Sequence, residues 1–264
     1  MEFLSSGKVK DIYRASDDTL CFKFSNRVSA FDNKFEEEIP AKGKVLADFS
    51  AFWFDKLGIR SHYISKLEDE KILVKRMNMI PLECIVRGYY FGSFVKRHQR
   101  GEVNLPEDFP LVELKDKFPH PIFDPTTKSD ICDEPIEKNQ ALNDGLVTEE
   151  EWQYLEKQSL NIYNKMSKIA VEKGFDLIDI KLEFGRDPKI SMDAAVEERI
   201  VLGDSIGPDE YRMWKKESGE MFDKEILRSY IKENGGIEEV KNIPPVIVEK
   251  MSQKYQESYQ LFTK

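Results

Sequence analysis

A chain of 264 residues is long enough for one or two domains whose core removes roughly three quarters of the unfolded surface from water, so it needs no disulfide or metal staple to fold. Apolar residues at 40% and charged residues at 34%, with 14 Gly and 12 Pro spread along the sequence, exclude collagen-like, low-complexity and wholly disordered chains. Forty Lys and Arg against 49 Asp and Glu leave a net charge of −9, which opposes broad nucleic-acid binding: any polyanionic ligand has to be met by a local cationic pocket. No window of about 18 apolar residues exists, and Lys8 and Lys10 fall where a signal peptide needs its apolar stretch, so neither a membrane partner nor secretion is indicated and cytoplasm is the expected compartment. Cys21, Cys84 and Cys132 are an odd set without short spacing, and His62, His98 and His120 form no pair at helical ligand distance, which argues against structural zinc and a disulfide framework.

In chain order, segments Lys8 to Tyr13, Leu20 to Phe24 and Lys71 to Arg76 are short and rich in Val, Ile, Phe and Leu, separated by Ser, Asp and Asn clusters, and predict an antiparallel sheet. Between them Val45, Leu46, Phe49, Phe52, Trp53 and Leu57 recur at helical spacing, with Gly58 placed to close the helix, which is expected to pack on that sheet. Residues 104–145 are dense in Pro, Asp and Asn; Pro119, Pro121, Pro125 and Pro135 forbid long helices, so a structured surface excursion is expected there. Thr148 with Glu151 three positions on reads as a capping box opening a helix whose buried stripe is Trp152, Leu155, Ile162, Tyr163, Met166 and Ile169, stopped at Gly174. A strand follows from Phe175. The tail from Asp223 to Lys264 reads as two helices divided by Gly235-Gly236 and Pro244-Pro245, with no chemistry expected in it.

The run from Phe175 to Gly185 alternates, sending Ile178, Ile180, Leu182 and Phe184 to one face and Asp179, Lys181 and Glu183 to the other. Alternation alone equally fits a solvated outer face. A second apolar stretch, Ile200-Val201-Leu202-Gly203, also ends in a carboxylate, Asp204. A hairpin turning near Asp193 and Ala194 would set Glu183 opposite Asp204. Two carboxylates at about 4 Å repel by about 4 kcal/mol at an effective dielectric near 20, so the pair calls for a cation or a proton, and magnesium bridging nucleotide phosphates meets that need.

Gly7-Lys8-Val9-Lys10 offers two lysines on one strand face for successive phosphates, although edge lysines also serve against aggregation. Glu83-Cys84-Ile85-Val86-Arg87-Gly88 reads as a buried strand delivering an arginine; Gly92-Ser93 then opens a short helix where Ser93 and Arg87 could hold a phosphate, or simply cap it. Pro125-Thr126-Thr127-Lys128 and Ser29-Ala30-Phe31-Asp32 are loop segments that turn chemistry alone would explain, and Arg212 with Trp214 fits ordinary surface packing.

In this order, from Gly7 to Trp214, these segments together resemble the SAICAR synthetase family, with the arginine strand before Gly92-Ser93 and Asp179-Ile180-Lys181-Leu182-Glu183-Phe184-Gly185 the most specific of them. The resemblance implies a two-lobed α+β fold similar to protein kinases and ATP-grasp enzymes, with an antiparallel-sheet nucleotide lobe over residues 1–80, a larger α+β lobe over 81–264, and ATP in the cleft. It implies an ATP-dependent ligase that joins L-aspartate to the carboxylate of carboxyaminoimidazole ribonucleotide through an acyl phosphate, with magnesium, and a homodimer is the expected assembly. By the same resemblance Lys8, Lys10, Lys75, Met79, Glu183 and Asp204 would serve ATP, and Glu183 and Asp204 the metal. Glu83, Arg87, Ser93, Lys128, Arg212, Ser29 and Asp32 would serve the substrates, and Lys181, Asp179 and Lys10 the chemistry. Ser205 stands where the family commonly has a glutamate, Glu210-Tyr211 replaces two small residues, Cys132 replaces a histidine, and residues 186–198 form a longer segment than the pattern has. A small-molecule kinase using the same cleft, and a nucleotide-sensing module without turnover, are the competing readings.

Overall fold

The computed structural model describes residues 1–31, 33–128 and 133–264. Strands β1 (Glu2–Ser6), β2 (Lys10–Arg14) and β3 (Thr19–Phe24) run antiparallel, and β4 (Arg27–Ala30) and β5 (Asn33–Glu38) pair separately. After helix α1 (Lys42–Leu57), β6 (Tyr63–Lys66) and β7 (Lys71–Lys75) complete the first sheet in the order β1-β2-β3-β7-β6. The expected three-strand antiparallel sheet is present, widened by β1 and β6; the strand expected from Lys8 starts at Lys10 instead.

The remaining chain forms β8 (Asn78–Met79), β9 (Leu82–Tyr89), α2 (Ser93–Gln99), β10 (Lys117–Phe123), β11 (Thr126–Thr127), α3 (Lys138–Asn143), α4 (Glu149–Glu172), β12 (Phe175–Leu182) and β13 (Phe184–Arg186). It continues through α5 (Val196–Arg199), β14 (Ile200–Leu202), β15 (Tyr211–Lys215), α6 (Glu225–Glu233) and α7 (Pro245–Thr263). A second antiparallel sheet has the order β10-β9-β12-β15, and a third has the order β14-β13-β8. This is a mixed α+β fold. β8, numbered within the expected first lobe, pairs with β13 and not with the N-terminal sheet.

Helix α1 follows from its spacing and ends at Gly58, whose φ of 58° is left-handed. One side of it, Leu46 and Ala47, packs with Phe22, Phe24, Ile72 and Val74 beneath the first sheet, as expected. The other side, Phe49 and Trp53, joins the main core with Ile162 and Met166 of α4, Leu177 and Ile180 of β12, and Tyr255 and Phe262 of α7. Each such side chain removed from water contributes about 1.5–3 kcal/mol. The capping box opens α4: Glu151 N–H donates to Thr148 Oγ1 at 3.2 Å, and Thr148 N–H donates to Glu151 Oε2 at 3.0 Å. That helix lies so close to β9 that a Cβ on Gly88 would stand 1.7 Å from the Tyr163 hydroxyl, which itself donates to the Leu177 carbonyl at 2.6 Å.

The Pro-rich segment is structured and, among the described residues, has no long helix, as expected: Pro119 and Pro121 sit in β10, an edge strand whose register against β9 breaks between Lys117 and Ile122, where a missing N–H does no harm. The hairpin register is one residue off, because β13 pairs with β14 as Phe184 opposite Leu202, so Gly203 faces Glu183 and donates its N–H to the Glu183 carbonyl at 2.8 Å.

Candidate active site

Strand β12 carries the site because the strands on both sides align charges with it. Asp179 stands opposite Arg87 of β9 on one side and opposite Arg212 of β15 on the other, a row of three charges across three strands. Arg212 donates from Nη1 to Asp179 Oδ2 at 2.6 Å and from Nε to Glu225 Oε2 at 2.9 Å. Arg87 reaches the same Asp179 oxygen at 3.4 Å, donates to Ser93 Oγ at 3.2 Å, and shares Asp124 with Arg97. Arginines held in place by carboxylates, one buried and one half-buried, keep their planar forks pre-set for a phosphate. Burial works against the charge on Arg212, but Asp179 and Glu225 outweigh it and raise its pKa.

Two residues further along β12, Lys181 gathers three carboxylates. Its Nζ lies 2.6 Å from Glu183 Oε1, 3.1 Å from Glu83 Oε1 and 3.8 Å from Asp204 Oδ2. Lys10 pairs with Asp204 and Lys128 with Glu183. Burial disfavours the ammonium of Lys181, yet the surrounding carboxylates hold its pKa well above the ordinary lysine value. Burial likewise pushes the Asp204 carboxyl up, and Lys10, Lys181 and Lys128 more than reverse that, leaving it well below the usual carboxylate range. For Glu83 burial wins and the pKa is raised. Asp204 reaches this cluster despite the shifted register because its backbone turns left-handed, with φ 55°. His62 donates from Nε2 to the Asp204 carbonyl at 2.9 Å and holds that turn.

The two groups open onto adjoining cavities of about 340 and 460 Å³ that share Lys8, Glu83, Lys181 and Asp204 in their walls. Arg87, Ser93, Asp179, Arg212 and the buried Ser29 line the first; Lys10, Lys128, Glu183 and Met79 line the second. Asp179, Lys181 and Glu183 thus face a cleft and not open solvent. Lys8 precedes β2 and does not share its strand face with Lys10, yet both border the second cavity. Lys75 ends β7 with an exposed side chain and lines neither cavity. Asp32 and Cys132 lie outside the described residues.

Lys224 and Arg228, at the head of the tail expected to carry no chemistry, line the first cavity. With Lys232 they recur every four residues and so share one helical face that borders a further cavity of about 440 Å³; that spacing was the signal for them. Burial pulls the Lys224 pKa down to about 8, against the pull of Asp209. Asp124, Arg97, Glu210 and His62 are other site neighbours without a local motif.

Among the described residues no group of three or more His, Cys, Asp or Glu is arranged to hold a metal ion by itself. Two clefted carboxylates, Glu183 and Asp204, with cations close by, match an ion that keeps most of its ligands from nucleotide phosphates and water. Cations beside clefted carboxylates have the chemistry expected of an enzyme that works on nucleotide phosphates.

Comparison with known proteins makes the class specific. The family model described as SAICAR synthetase matches residues 3–244. A phosphoribosylaminoimidazole-succinocarboxamide synthase of Nitrosopumilus maritimus is 47% identical over 278 residues, covering 98% of this chain and 97% of its own. The SAICAR synthase of Saccharomyces cerevisiae, solved in complex with SAICAR, superposes with a TM-score of 0.81 at 32% identity, covering 99% of this chain and 94% of its own. A SAICAR synthetase solved in complex with ADP superposes with a TM-score of 0.78 at 27% identity, covering 99% and 97%. The chain belongs to the SAICAR synthetase family, and its activity is ATP-dependent ligation in purine biosynthesis.

Proposed function

We propose that the cleft joins L-aspartate to carboxyaminoimidazole ribonucleotide with each group in a distinct part. The observation that carries this reading is the single strand β12, on which Asp179 between two arginines and Lys181 among three carboxylates stand two residues apart. The arginine row, with Ser93, Lys224 and Arg228 beside it, receives the sugar phosphate, and Asp179 fixes its geometry. Lys8 and Lys10 meet the ATP phosphates beside Met79, and Ser29, Glu83 and Lys128 serve the remaining substrate contacts; Lys75 on the side of the adenine and Asp32 at the substrate rest on family membership alone.

The substrate carboxylate oxygen bonds to the γ-phosphorus and ADP leaves; the aspartate amine then bonds to the acyl carbon and phosphate leaves. Such transfers ask mainly for positioning and neutralisation of charge, which Lys10 and Lys181 supply from fixed positions. Glu183 and Asp204 would hold magnesium, which when bound neutralises nucleotide phosphate charge. The first sheet, within residues 1–80, acts as the lobe over the nucleotide and 81–264 as the larger substrate lobe, a two-lobed arrangement like that of kinases and ATP-grasp enzymes. A cytoplasmic homodimer is the expected state; a net charge of −9 is consistent with no nucleic-acid partner, and among the described residues no helix is long and apolar enough to cross a membrane.

The test is continuous ADP release with ATP, L-aspartate and the carboxylated ribonucleotide each omitted in turn. ADP is expected only when all three are present. Sustained release without L-aspartate would instead indicate a kinase, and bound nucleotide with no ADP under any pairing a sensing module.

A further inference from the structure

The ammonium of Lys10 faces the rings of Phe22 and Phe24, at 5.0 and 5.8 Å, which attract a cation without orienting it. Orientation comes from the opposite side. Lys10 pairs with Asp204 and lies 3.2 Å from Ser205 Oγ. An ammonium only donates, so the Ser205 oxygen accepts from it, and the hydroxyl hydrogen passes to the next neighbour, Glu210 Oε1, at 3.1 Å.

Glu210 is an expensive residue to place there. Its Oε2 is buried with no hydrogen-bond partner among the described residues, and burial with Asp209 and Asp204 nearby pushes its carboxyl up to about 7. Its position explains the retention of such a group. Its backbone carbonyl accepts from Lys181 N–H at 2.8 Å while its side chain holds Ser205, so one residue links the backbone of Lys181 to the hydroxyl that Lys10 contacts. The left-handed turn at Asp204 delivers both anchors of Lys10, the Asp204 carboxylate and the adjacent Ser205 hydroxyl.

We propose that Ser205 and Glu210 are positioning residues that act through a directed Glu210–Ser205–Lys10 relay to hold the Lys10 ammonium at the place where it meets the ATP phosphates. This rests on the reading of Lys10 as a phosphate contact. Ser205 is buried and Glu210 borders the first cavity, so both reach the nucleotide side through Lys10, and the effect expected of them is on phosphate-bearing ligands.

The test is titration calorimetry of the full chain with ATP and, separately, with adenosine, alongside thermal melting. Ser205→Ala and Glu210→Ala are each expected to weaken ATP affinity about tenfold, the scale of a hydrogen bond to a charged group, with adenosine affinity unchanged. The double variant is expected to be no weaker than the weaker single variant, because both changes break one relay. Glu210→Gln, which keeps an acceptor for the Ser205 hydroxyl, is expected to recover most of the loss. Lys10→Met is the reference: if it binds ATP as tightly as the wild type, the phosphate reading of Lys10 is overturned. If it weakens ATP while Ser205→Ala does not, or if Ser205→Ala weakens ATP and adenosine equally, the relay alone is overturned.

Discussion

His62 is held neutral in the folded chain. It is 2% exposed, flanked edge-on by Phe22 and Phe54 at 5.6 Å, and burial pulls its pKa down to about 4 despite the pull of Asp204. A carbonyl can only accept, so the bond to Asp204 fixes the tautomer, with the proton on Nε2 and Nδ1 bare. Between pH 6.5 and about 4 the unfolded chain therefore binds the extra proton and the folded chain does not, so stability falls as pH drops through that window, by about 3 kcal/mol. Glu210 and Asp223, both pushed up to about 7 by burial, work in the opposite sense, destabilising the fold as pH rises from the ordinary carboxylate range toward 7. The His62 contribution is isolated by comparison with His62→Gln: in urea melts the wild type should lose about 3 kcal/mol relative to the variant between pH 6.5 and 4. A difference that stays constant with pH would contradict the neutral, turn-holding histidine. In the sequence this residue served only to exclude zinc, because nothing local shows that Asp204, far along the chain, needs its carbonyl met.

Strand β12 shows what an element yields before its partners are known. Period-two geometry belongs to the backbone of any strand, so the shared face of Asp179, Lys181 and Glu183 was readable; that the face is a cleft depends on Arg87 and Arg212 from β9 and β15, which no spacing within β12 reveals. The capping box of α4 was readable because its two bonds close within three residues. The pairing of β13 with β14 was misread by one residue because α5 and the segment before it, not a short turn, set the register. At this scale the register makes a prediction. Arg87→Lys keeps the charge and loses the fork, and should weaken apparent ribonucleotide affinity about tenfold or more while leaving ATP affinity unaltered. Unchanged ribonucleotide affinity in a folded Arg87→Lys variant would contradict the phosphate assignment. The lysine variant is preferred to alanine because Arg87 is buried between Asp124 and Asp179, and stripping the charge would cost about 3–5 kcal/mol of stability.

Across the whole molecule the site is assembled from segments that are distant in sequence and tied by buried ion pairs. Lys42 of α1, fully buried, reaches Asp209 at 2.9 Å, and Tyr255 of α7 donates to the same carboxylate at 2.9 Å, joining the start of the chain to its end just behind the cleft. Lys10 from the first sheet meets Asp204 beyond β14, and Lys128 from the Pro-rich segment meets Glu183. The mixed α+β class and the motif-bearing elements were readable in the sequence. The tail was not, since Lys224 and Arg228 line the first cavity only because α6 is brought against it. Glu183, kept 2% exposed between Lys181 and Lys128, is expected to supply charge to the reaction and not to the fold. The most direct measurement is ADP release by Glu183→Gln across a magnesium titration, with melting temperature measured in parallel. Loss of about a hundredfold or more in rate at nearly unchanged melting temperature is the predicted result; turnover close to wild type at low magnesium would contradict it.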